Sequence, residues 1–207
     1  MFVITVDQRG SRTRPDGVPA LLTQVKRVVP SPHLGFSRTV GDEIQGVVSH
    51  AHEAIALARH ILRAKDWYIG IGVAPIKGAL PKRSAEANGP AFVYAREAVE
   101  DAKVSRGAAP VAVRASNSEV AAHAQGLLRL LGRIYEGRSP AAWEAIDQLV
   151  APTGSPTGFN QRDVAITLGV SPQAVSKRLR AAYFDEEQSV LPLLRALLEQ
   201  LDESVTG

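Results

Sequence analysis

Two aspartates near the start of the chain are placed where they could hold a metal ion. Asp7 ends a short β-branched run that begins at Phe2, and Asp42 lies in the glycine-containing turn of a predicted hairpin. In a β-α-β-β order the first and third elements are neighbours, so the two carboxylates could meet. Two close carboxylates at strand ends suit a hard cation such as Mg²⁺. On spacing alone, both aspartates can also be ordinary turn residues.

A basic, glycine-containing loop directly follows Asp7 and could hold a phosphate chain. Its candidate nucleotide-binding residues are Arg9, Gly10, Ser11 and Arg12. Backbone N–H groups in such a loop can donate hydrogen bonds to phosphate oxygens, and guanidinium groups bind the same oxygens in pairs. On the residues alone, the loop could hold the phosphate groups of a ligand beside a Mg²⁺ ion at the aspartates, or it could be an ordinary turn.

Residues 161–180 have the spacing of a helix-turn-helix, a motif that binds double-stranded DNA. Ala165 is small where a second helix would cross the first, and Gly169 permits the positive φ of the turn. Val175 would pack back between the two helices. Ser171 is a natural N-cap, and the proline after it suits the first turn of a helix.

The remaining face of the second helix would be exposed and basic. Amides and hydroxyls can read base edges, while lysine and arginine contact phosphates or guanine, and a good bidentate base contact contributes roughly 1–3 kcal/mol of discrimination. The alternative is a helical hairpin without a DNA role. The candidate DNA-binding residues are Ser171, Gln173, Ser176, Lys177, Arg178 and Arg180.

Hydrophobic periodicity predicts an α+β fold class and divides the chain into two domains. Residues 1–115 have the order β-α-β-β-α-β-α-β, which is typical of a ferredoxin-like domain with helices on one face of a mixed or antiparallel sheet. Residues 117–207 form an all-α domain with the helix-turn-helix at 161–183. Predicted strands are 2–6, 34–40, 44–48, 67–73 and 111–113; predicted helices are 18–29, 51–64, 91–103, 119–135, 141–150, 161–168, 172–183 and 186–201.

Short strings in the first half resemble the class III nucleotidyl cyclases. Residues 38–42 resemble the family's hairpin, and residues 7–10 resemble its first metal-binding stretch. Residues 69–72 resemble its central strand, and Gly89-Pro90 followed by Arg96 resembles its substrate-binding helix. The related GGDEF-type domains share this palm-like fold, and the overall arrangement also resembles SatD-like proteins of bacteria.

The cyclase resemblance implies metal ligands at Asp7 and Asp42 and nucleotide contacts at Arg38 and Arg96. Phe92 stands where the cyclases carry an asparagine, four residues before their transition-state arginine. Phosphoryl-type transfer needs its positioning and charge-stabilising groups together. With this departure, the resemblance implies a nucleotide-binding sensor rather than an efficient cyclase.

The 161–180 segment resembles the DNA-binding helices of sigma-factor region four and of many bacterial regulators. The resulting hypothesis is a transcriptional regulator in which a nucleotide bound by residues 1–115 changes DNA affinity. One alternative is an active cyclase that the helical tail regulates. Another is a DNA-binding protein whose first domain only dimerises.

Composition limits the classes of protein to which the chain could belong. The chain has 207 residues, a net charge of +3 and no cysteine, which excludes disulfides and thiolate zinc sites. It lacks a signal peptide and any apolar run of roughly 20 residues, so we expect a cytoplasmic protein without a membrane role. We also expect a homodimer. One leucine stripe could serve either as its seam or in packing within the chain: Leu191, Leu194, Leu198 and Leu201.

Overall fold

The computed structural model describes residues 1–76, 80–105 and 107–203, and these residues form an α+β protein. The strands are β1 (Phe2–Gln8), β2 (Leu34–Arg38), β3 (Glu43–Val48), β4 (Trp67–Val73) and β5 (Val111–Ala115). The helices are α1 (Val18–Val28), α2 (Ala51–Ala64), α3 (Pro90–Val104), α4 (Ser118–Gly137), α5 (Pro140–Leu149), α6 (Gln161–Leu168), α7 (Pro172–Ala181) and α8 (Phe184–Glu203), with a 3-10 turn at Ser84–Glu86. The predicted class and element order are confirmed. Within the described ranges, no helix combines the length and the apolar character that a membrane span needs.

The strands form one mixed sheet in the order β2-β3-β1-β4-β5. Neighbouring strands are antiparallel except β4 and β5, which run parallel. β1 lies beside β3, with Asp7 opposite Glu43, so the expected pairing of β1 with the third element was wrong. The reason is that β2 and β3 form a hairpin and the returning strand adds to β1, which leaves β2 at the sheet edge. The turn that carries Asp42 nevertheless ends beside Asp7.

Helices cover both faces of the sheet, and the expectation that they lie on one face was wrong. On one face Ile4 packs in a core with Leu21 of α1 and Leu57 of α2. On the other face Val3 packs with Ala95 of α3. Because successive side chains of a strand point to opposite faces, the consecutive apolar residues of β1 require cover on both.

α3 lies directly on the backbone of β4, and two glycines permit this approach. A β-carbon at Gly70 would collide with the backbone of Ala95 and Val99, and a β-carbon at Gly72 would collide with that of Ala91 and Ala95. Glycine in a strand commonly marks such a close approach of two backbones. The contact fixes where the last turn of α3 lies over the sheet.

The helices after residue 116 pack both on the sheet and on each other. α4 contacts β5 and α2, and α8 contacts α4, α2 and α7. One hydrophobic core runs from Phe2 in β1 to Leu201 in α8. The division into domains at 1–115 and 117–207 therefore stays a prediction.

The leucine stripe of α8 packs within the chain. Leu194, Leu198 and Leu201 are buried, and Leu191 packs against the same core. Of the two roles considered for this stripe, packing within the chain is confirmed, and the stripe is not available as a dimer seam. A homodimer through another surface stays a prediction.

Candidate functional site

Helices α6 and α7 and the turn between them, called here the α6–α7 unit, begin at a well-formed cap. The side chain of Asn160 accepts hydrogen bonds from the N–H of Arg162 at 2.8 Å and from the N–H of Asp163 at 3.3 Å. The backbone N–H of Asn160 donates to Asp163 Oδ2 at 2.8 Å. These reciprocal bonds form a capping box, which satisfies N–H groups that the first turn of a helix leaves unpaired.

The turn of the α6–α7 unit has the predicted left-handed glycine. Gly169 has φ +62°. Its N–H donates to the carbonyl of Ile166 at 3.2 Å, and the next N–H, of Val170, donates to the carbonyl of Ala165 at 3.0 Å. This pair of bonds is a Schellman ending, in which glycine is favoured because it has no β-carbon. Ser171 then caps α7 by accepting from the N–H of Ala174 at 3.2 Å.

Four apolar residues hold the two helices of the unit at a fixed angle. Val164 and Ala165 of α6 and Val175 and Leu179 of α7 are all buried. The predicted burial of Ala165 and Val175 is confirmed. α7 ends at Ala181, two residues earlier than predicted, because Tyr183 adopts a left-handed φ of 52° and separates α7 from α8.

The exposed side of α7 carries most of the predicted DNA-binding residues. Gln173, Lys177 and Arg180 are exposed and lie four and seven residues apart along one face, while Ser176 is half-buried beside them. The Ser171 hydroxyl is already used as the cap of α7. Arg178 is half-buried and lies 3.4 Å from Glu144 of α5, so its guanidinium is directed toward the protein.

The acidic pair, Asp7 and Asp42, comes together where β1 ends beside the turn between β2 and β3, as predicted. Burial raises the pKa of Asp7, an effect that Lys103 opposes and the charge of Asp42 reinforces. Asp42 Oδ2 is buried and has no hydrogen-bond partner among the described residues. The pair therefore holds more negative charge than the protein around it neutralises.

Lys103, which the sequence analysis did not select, provides a cation at the acidic pair. Its Nζ lies 3.0 Å from Asp7 Oδ2 and 2.8 Å from Glu100 Oε1. Burial alone would lower the pKa of Lys103, but the hydrogen bonds to Glu100 and Asp7 outweigh burial and raise it. Within the described parts of the chain, no three histidine, cysteine, aspartate or glutamate side chains cluster as a metal site. Two carboxylates suit Mg²⁺ chemically, but the ammonium group already lies against one of them.

The basic residues predicted to bind a nucleotide are only partly free. Arg9 lies over the ring of Tyr68 at 5.1 Å and donates to the carbonyl of Lys65 at 3.2 Å. Arg38 donates to the carbonyl of Gly41 at 2.8 Å and pairs with Asp16, whose pKa it lowers through a hydrogen bond. The other predicted nucleotide contacts are exposed, with Gly10 in the left-handed region: Gly10, Ser11, Arg12 and Arg96.

A second charged cluster, the arginine network of Arg59, Arg138 and Glu187, also went unpredicted. Glu187 lies on the first turn of α8 and is fully buried; its Oε2 lies 2.7 Å from Arg138 Nη2. Its Oε1 accepts from the Tyr135 hydroxyl at 2.8 Å and lies 3.3 Å from Arg59 Nε. Burial raises the pKa of Tyr135, and the neighbouring carboxylate adds to the effect, so the hydroxyl stays neutral.

Trp143 of α5 packs against the cations around the network. The guanidinium of Arg138 lies 4.9 Å from its ring centre, that of Arg63 4.4 Å and that of Arg59 5.5 Å. Such contacts partly compensate cations that are removed from water. Neither Lys103 nor the network was signalled in the sequence: a lysine in the last turn of a helix is common, and the network joins residues more than 40 positions apart.

The fold and the α6–α7 unit define an α+β protein whose helical second half presents two capped helices with a basic exposed face. A family model described as "SatD family" matches residues 20–186. Because the match covers most of its length, the chain belongs to the SatD family. No curated protein and no solved structure matches the chain.

The family assignments based on short strings were wrong in both halves. The SatD match extends from α1 into α8 and crosses the boundary predicted near residue 116. No nucleotidyl-cyclase, GGDEF or helix-turn-helix family matches. Strings of four or five residues reflect the local conformation of hairpins and glycine-rich strands, which the sheets of unrelated proteins share. A separate helix-turn-helix domain is therefore not shown.

Proposed function

We propose that this protein is a DNA-binding transcriptional regulator whose helix α7 enters the major groove. The observation that carries the proposal is the exposed stripe of Gln173, Lys177 and Arg180. It lies on the side of α7 away from the buried Val175 and Leu179. The proposal assigns DNA binding to the helical part, residues 117–207, and ligand sensing to residues 1–115.

Each residue of the stripe has a role suited to its chemistry. Gln173 lies in the first turn of α7, the part of a recognition helix that reaches base edges, and its amide matches adenine. Lys177 and Arg180 supply cations for phosphates or guanine. The caps and the packed core of the α6–α7 unit would hold the backbone of α7 in position, so only the exposed side chains are left to order on binding.

The first experiment selects bound sequences from a random double-stranded DNA library and then measures affinity by fluorescence anisotropy at several salt concentrations. Lys177→Ala and Arg180→Ala should each weaken binding and lower the salt slope by about one unit if each contacts a phosphate. Arg133→Ala, which removes an exposed arginine of α4, is the matched control and should bind like the wild type. Unchanged affinity and salt slope in both α7 variants would refute the assignment.

Base reading is tested separately at Gln173. Gln173→Ala should relax the selected sequence at one position, with a loss of discrimination of about 1–3 kcal/mol, and leave binding to random DNA unchanged. An equal loss of affinity for every DNA sequence would instead indicate that Gln173 contacts the DNA backbone rather than a base.

We also propose that two copies bind as a homodimer, because proteins that place one recognition helix in the major groove commonly bind as dimers to half-sites about 34 Å apart. The selected DNA should then contain an inverted repeat with a spacing of about 10 base pairs. Sedimentation of the protein with that DNA should give two chains per duplex. A single half-site bound by one chain would contradict the dimer.

A nucleotide with Mg²⁺ at the acidic pair is the second candidate function. It is favoured by the buried, unpartnered Oδ2 of Asp42 beside the second carboxylate. In this proposal Asp7 and Asp42 hold the cation, and Arg9 and the loop after it hold phosphates. Lys103 would have to give way to the cation or share Asp7 with it.

Thermal unfolding with nucleoside triphosphates and Mg²⁺ tests the second candidate. A nucleotide that binds the folded chain raises the melting temperature, and Asp42→Asn should abolish that rise. If a nucleotide binds, its effect on DNA affinity measures whether the two sites are coupled, since coupling requires different affinity for two states. No rise with any nucleotide would leave residues 1–115 without a sensing role at this site.

A further inference from the structure

A cavity of about 600 Å³ lies between α2, the loop after α5 and the start of α8. Small-molecule sites in proteins typically have volumes of about 300–1,000 Å³. This α2–α8 cavity combines an apolar wall with cationic side chains. The residues that matter for its chemistry are His52, Ile55, Arg59, Ser155, Leu191 and Arg195.

The arginine network, which lies in and behind one wall of the cavity, contains more positive than negative charge. The arginine network, whose Arg59 and Glu187 line the cavity, has two guanidinium groups and one carboxylate. The side chains of Arg138 and Glu187 are fully buried, and that of Arg59 is 12% exposed. Tyr135 adds a hydroxyl to Glu187 but no charge. One guanidinium is therefore left without its own counterion.

The hydrogen bonding of the network is also incomplete. Among the described residues, Arg59 Nη2 and Arg138 Nη1 are buried without a hydrogen-bond partner, and Arg59 Nε approaches Glu187 outside hydrogen-bonding geometry. A buried cation with unpaired donors is strongly unfavourable unless an anion compensates it. Two further acids are already paired with other arginines, Asp147 with Arg63 and Glu199 with Arg195.

We propose that the α2–α8 cavity binds a small organic anion with an apolar body. The carboxylate or phosphate of the ligand approaches Arg59 and neutralises the surplus charge of the arginine network. The body of the ligand lies against Ile55 and Leu191. This site is separate from the acidic pair, which has the opposite charge and lies at the end of β1.

The position of the cavity would connect the ligand to the α6–α7 unit. One wall belongs to α2, which packs on the sheet, and the opposite wall belongs to α8, which follows α7 after Tyr183. A ligand held by both walls would favour one placement of α8 over others and so alter the presentation of α7. This regulatory step rests on the proposed DNA binding, whereas ligand binding does not.

The experiment uses three probes with the same phenylethyl body on the full-length protein: 3-phenylpropanoate, its neutral isostere 3-phenylpropanamide, and 2-phenylethyl phosphate. Melting temperature and calorimetric titration report binding. We expect at least one of the two anions to bind and the amide to bind at least tenfold more weakly. The stronger of the two anions identifies the headgroup. Equal binding of all three probes, or no binding of either anion at millimolar concentration, would overturn the proposal.

Two substitutions locate the binding site. Arg59→Gln removes the surplus charge while Arg138 and Glu187 stay paired, so the variant should fold and lose at least tenfold in anion affinity. Arg63→Gln, one turn further along α2 and also against Trp143, is the matched control and should keep wild-type affinity. Ser155→Trp should block the cavity without changing charge. Wild-type affinity in both Arg59→Gln and Ser155→Trp would place the ligand elsewhere and refute the site.

The DNA assay separates the two proposals. If an anion binds in the calorimeter but leaves DNA affinity unchanged, the site stands and its regulatory role fails. If no DNA is bound at all, the proposed function fails while the calorimetric result is unaffected.

Discussion

The acidic pair and the arginine network hold charge away from water with opposite surpluses. At the end of β1, Lys103 pairs with Asp7 and Glu100, and the nearby Asp42 adds a further negative charge. Beneath the α6–α7 unit, two guanidinium groups share one carboxylate. The first arrangement suits an added cation and the second an added anion. We therefore expect the two sites to bind ligands of opposite charge.

The two regions also differ in their contact with solvent. The Asp7 and Lys103 side chains are 16% and 28% exposed, whereas Arg138 and Glu187 are fully buried. Water screens charges at the first site and not at the second, so the same loss of one charge should have a larger effect in the arginine network.

The largest expected effect is therefore that of Glu187→Gln. The amide keeps the shape of the side chain but leaves both guanidinium groups without a counterion, and removing one partner of a buried ion pair typically destabilises by about 3–5 kcal/mol. Urea unfolding should show the loss. In a Trp67→Phe background, Trp143 fluorescence reports the network directly, because Trp143 packs against Arg138.

Glu186→Gln is the matched control for this change. Glu186 is the preceding residue of α8 and is exposed, so its loss should alter stability little. If Glu187→Gln unfolds at the same urea concentration as Glu186→Gln, the carboxylate does not balance the arginines and the contrast between the two regions fails.

On the face of the sheet that α3 covers, the largest effect should come from packing rather than charge. Gly72→Ala inserts a methyl group against the backbone of α3, and overpacking of this kind destabilises by about 2–3 kcal/mol. Gly126→Ala, at an open position of α4, is the control and should stabilise by about 0.5–1 kcal/mol. Equal midpoints for the two variants in urea would show that α3 can move off β4 without loss.

A smaller effect is expected when the charge of Asp42 is removed. Asp42→Asn takes away one of the influences that raise the pKa of Asp7, so that pKa should fall toward its ordinary value. The shift can be followed by NMR titration of the Asp7 carboxyl carbon. Because burial is the larger cause, the pKa should stay raised in part. An unchanged titration would mean that the two carboxylates do not interact.

The contrast also shows what the sequence could and could not predict. The cap, glycine turn and small core of the α6–α7 unit depend on residues within about 20 positions, so spacing alone located them. To predict that Asp7 and Asp42 meet, one must know which strand lies beside β1. That strand was predicted wrongly, although the turn of the hairpin still brings Asp42 to Asp7.

Partners from distant elements could not be predicted at all. Lys103 reaches Asp7 only because two glycines let α3 lie against β4, and Glu187 meets Arg59 only through the packing of α8 on α2. Short strings led to wrong family assignments because they describe local turns and strands. The SatD match, in contrast, rests on residues 20–186, which are most of the chain.

The smallest predicted effect is a pH dependence beside the arginine network. Burial lowers the pKa of His60 below its usual 6.5, and the charges of Arg63 and Arg59 lower it further. Just below pH 6.5 the unfolded chain therefore takes up a proton that the folded chain binds less readily. The stabilising contribution is present above pH 6.5 and is lost as pH falls through the pKa of the folded chain.

His60→Gln should reduce the slope of unfolding free energy against pH in that window, measured by urea unfolding from pH 5 to 7. Arg63→Gln should reduce the slope less, because it removes one neighbouring charge and leaves burial, the larger cause, in place. A bound anion near Arg59 should act in the same direction, since it offsets the positive potential that disfavours protonation of His60. A slope that is unchanged in both variants would mean that the pKa of His60 is not lowered in the folded chain.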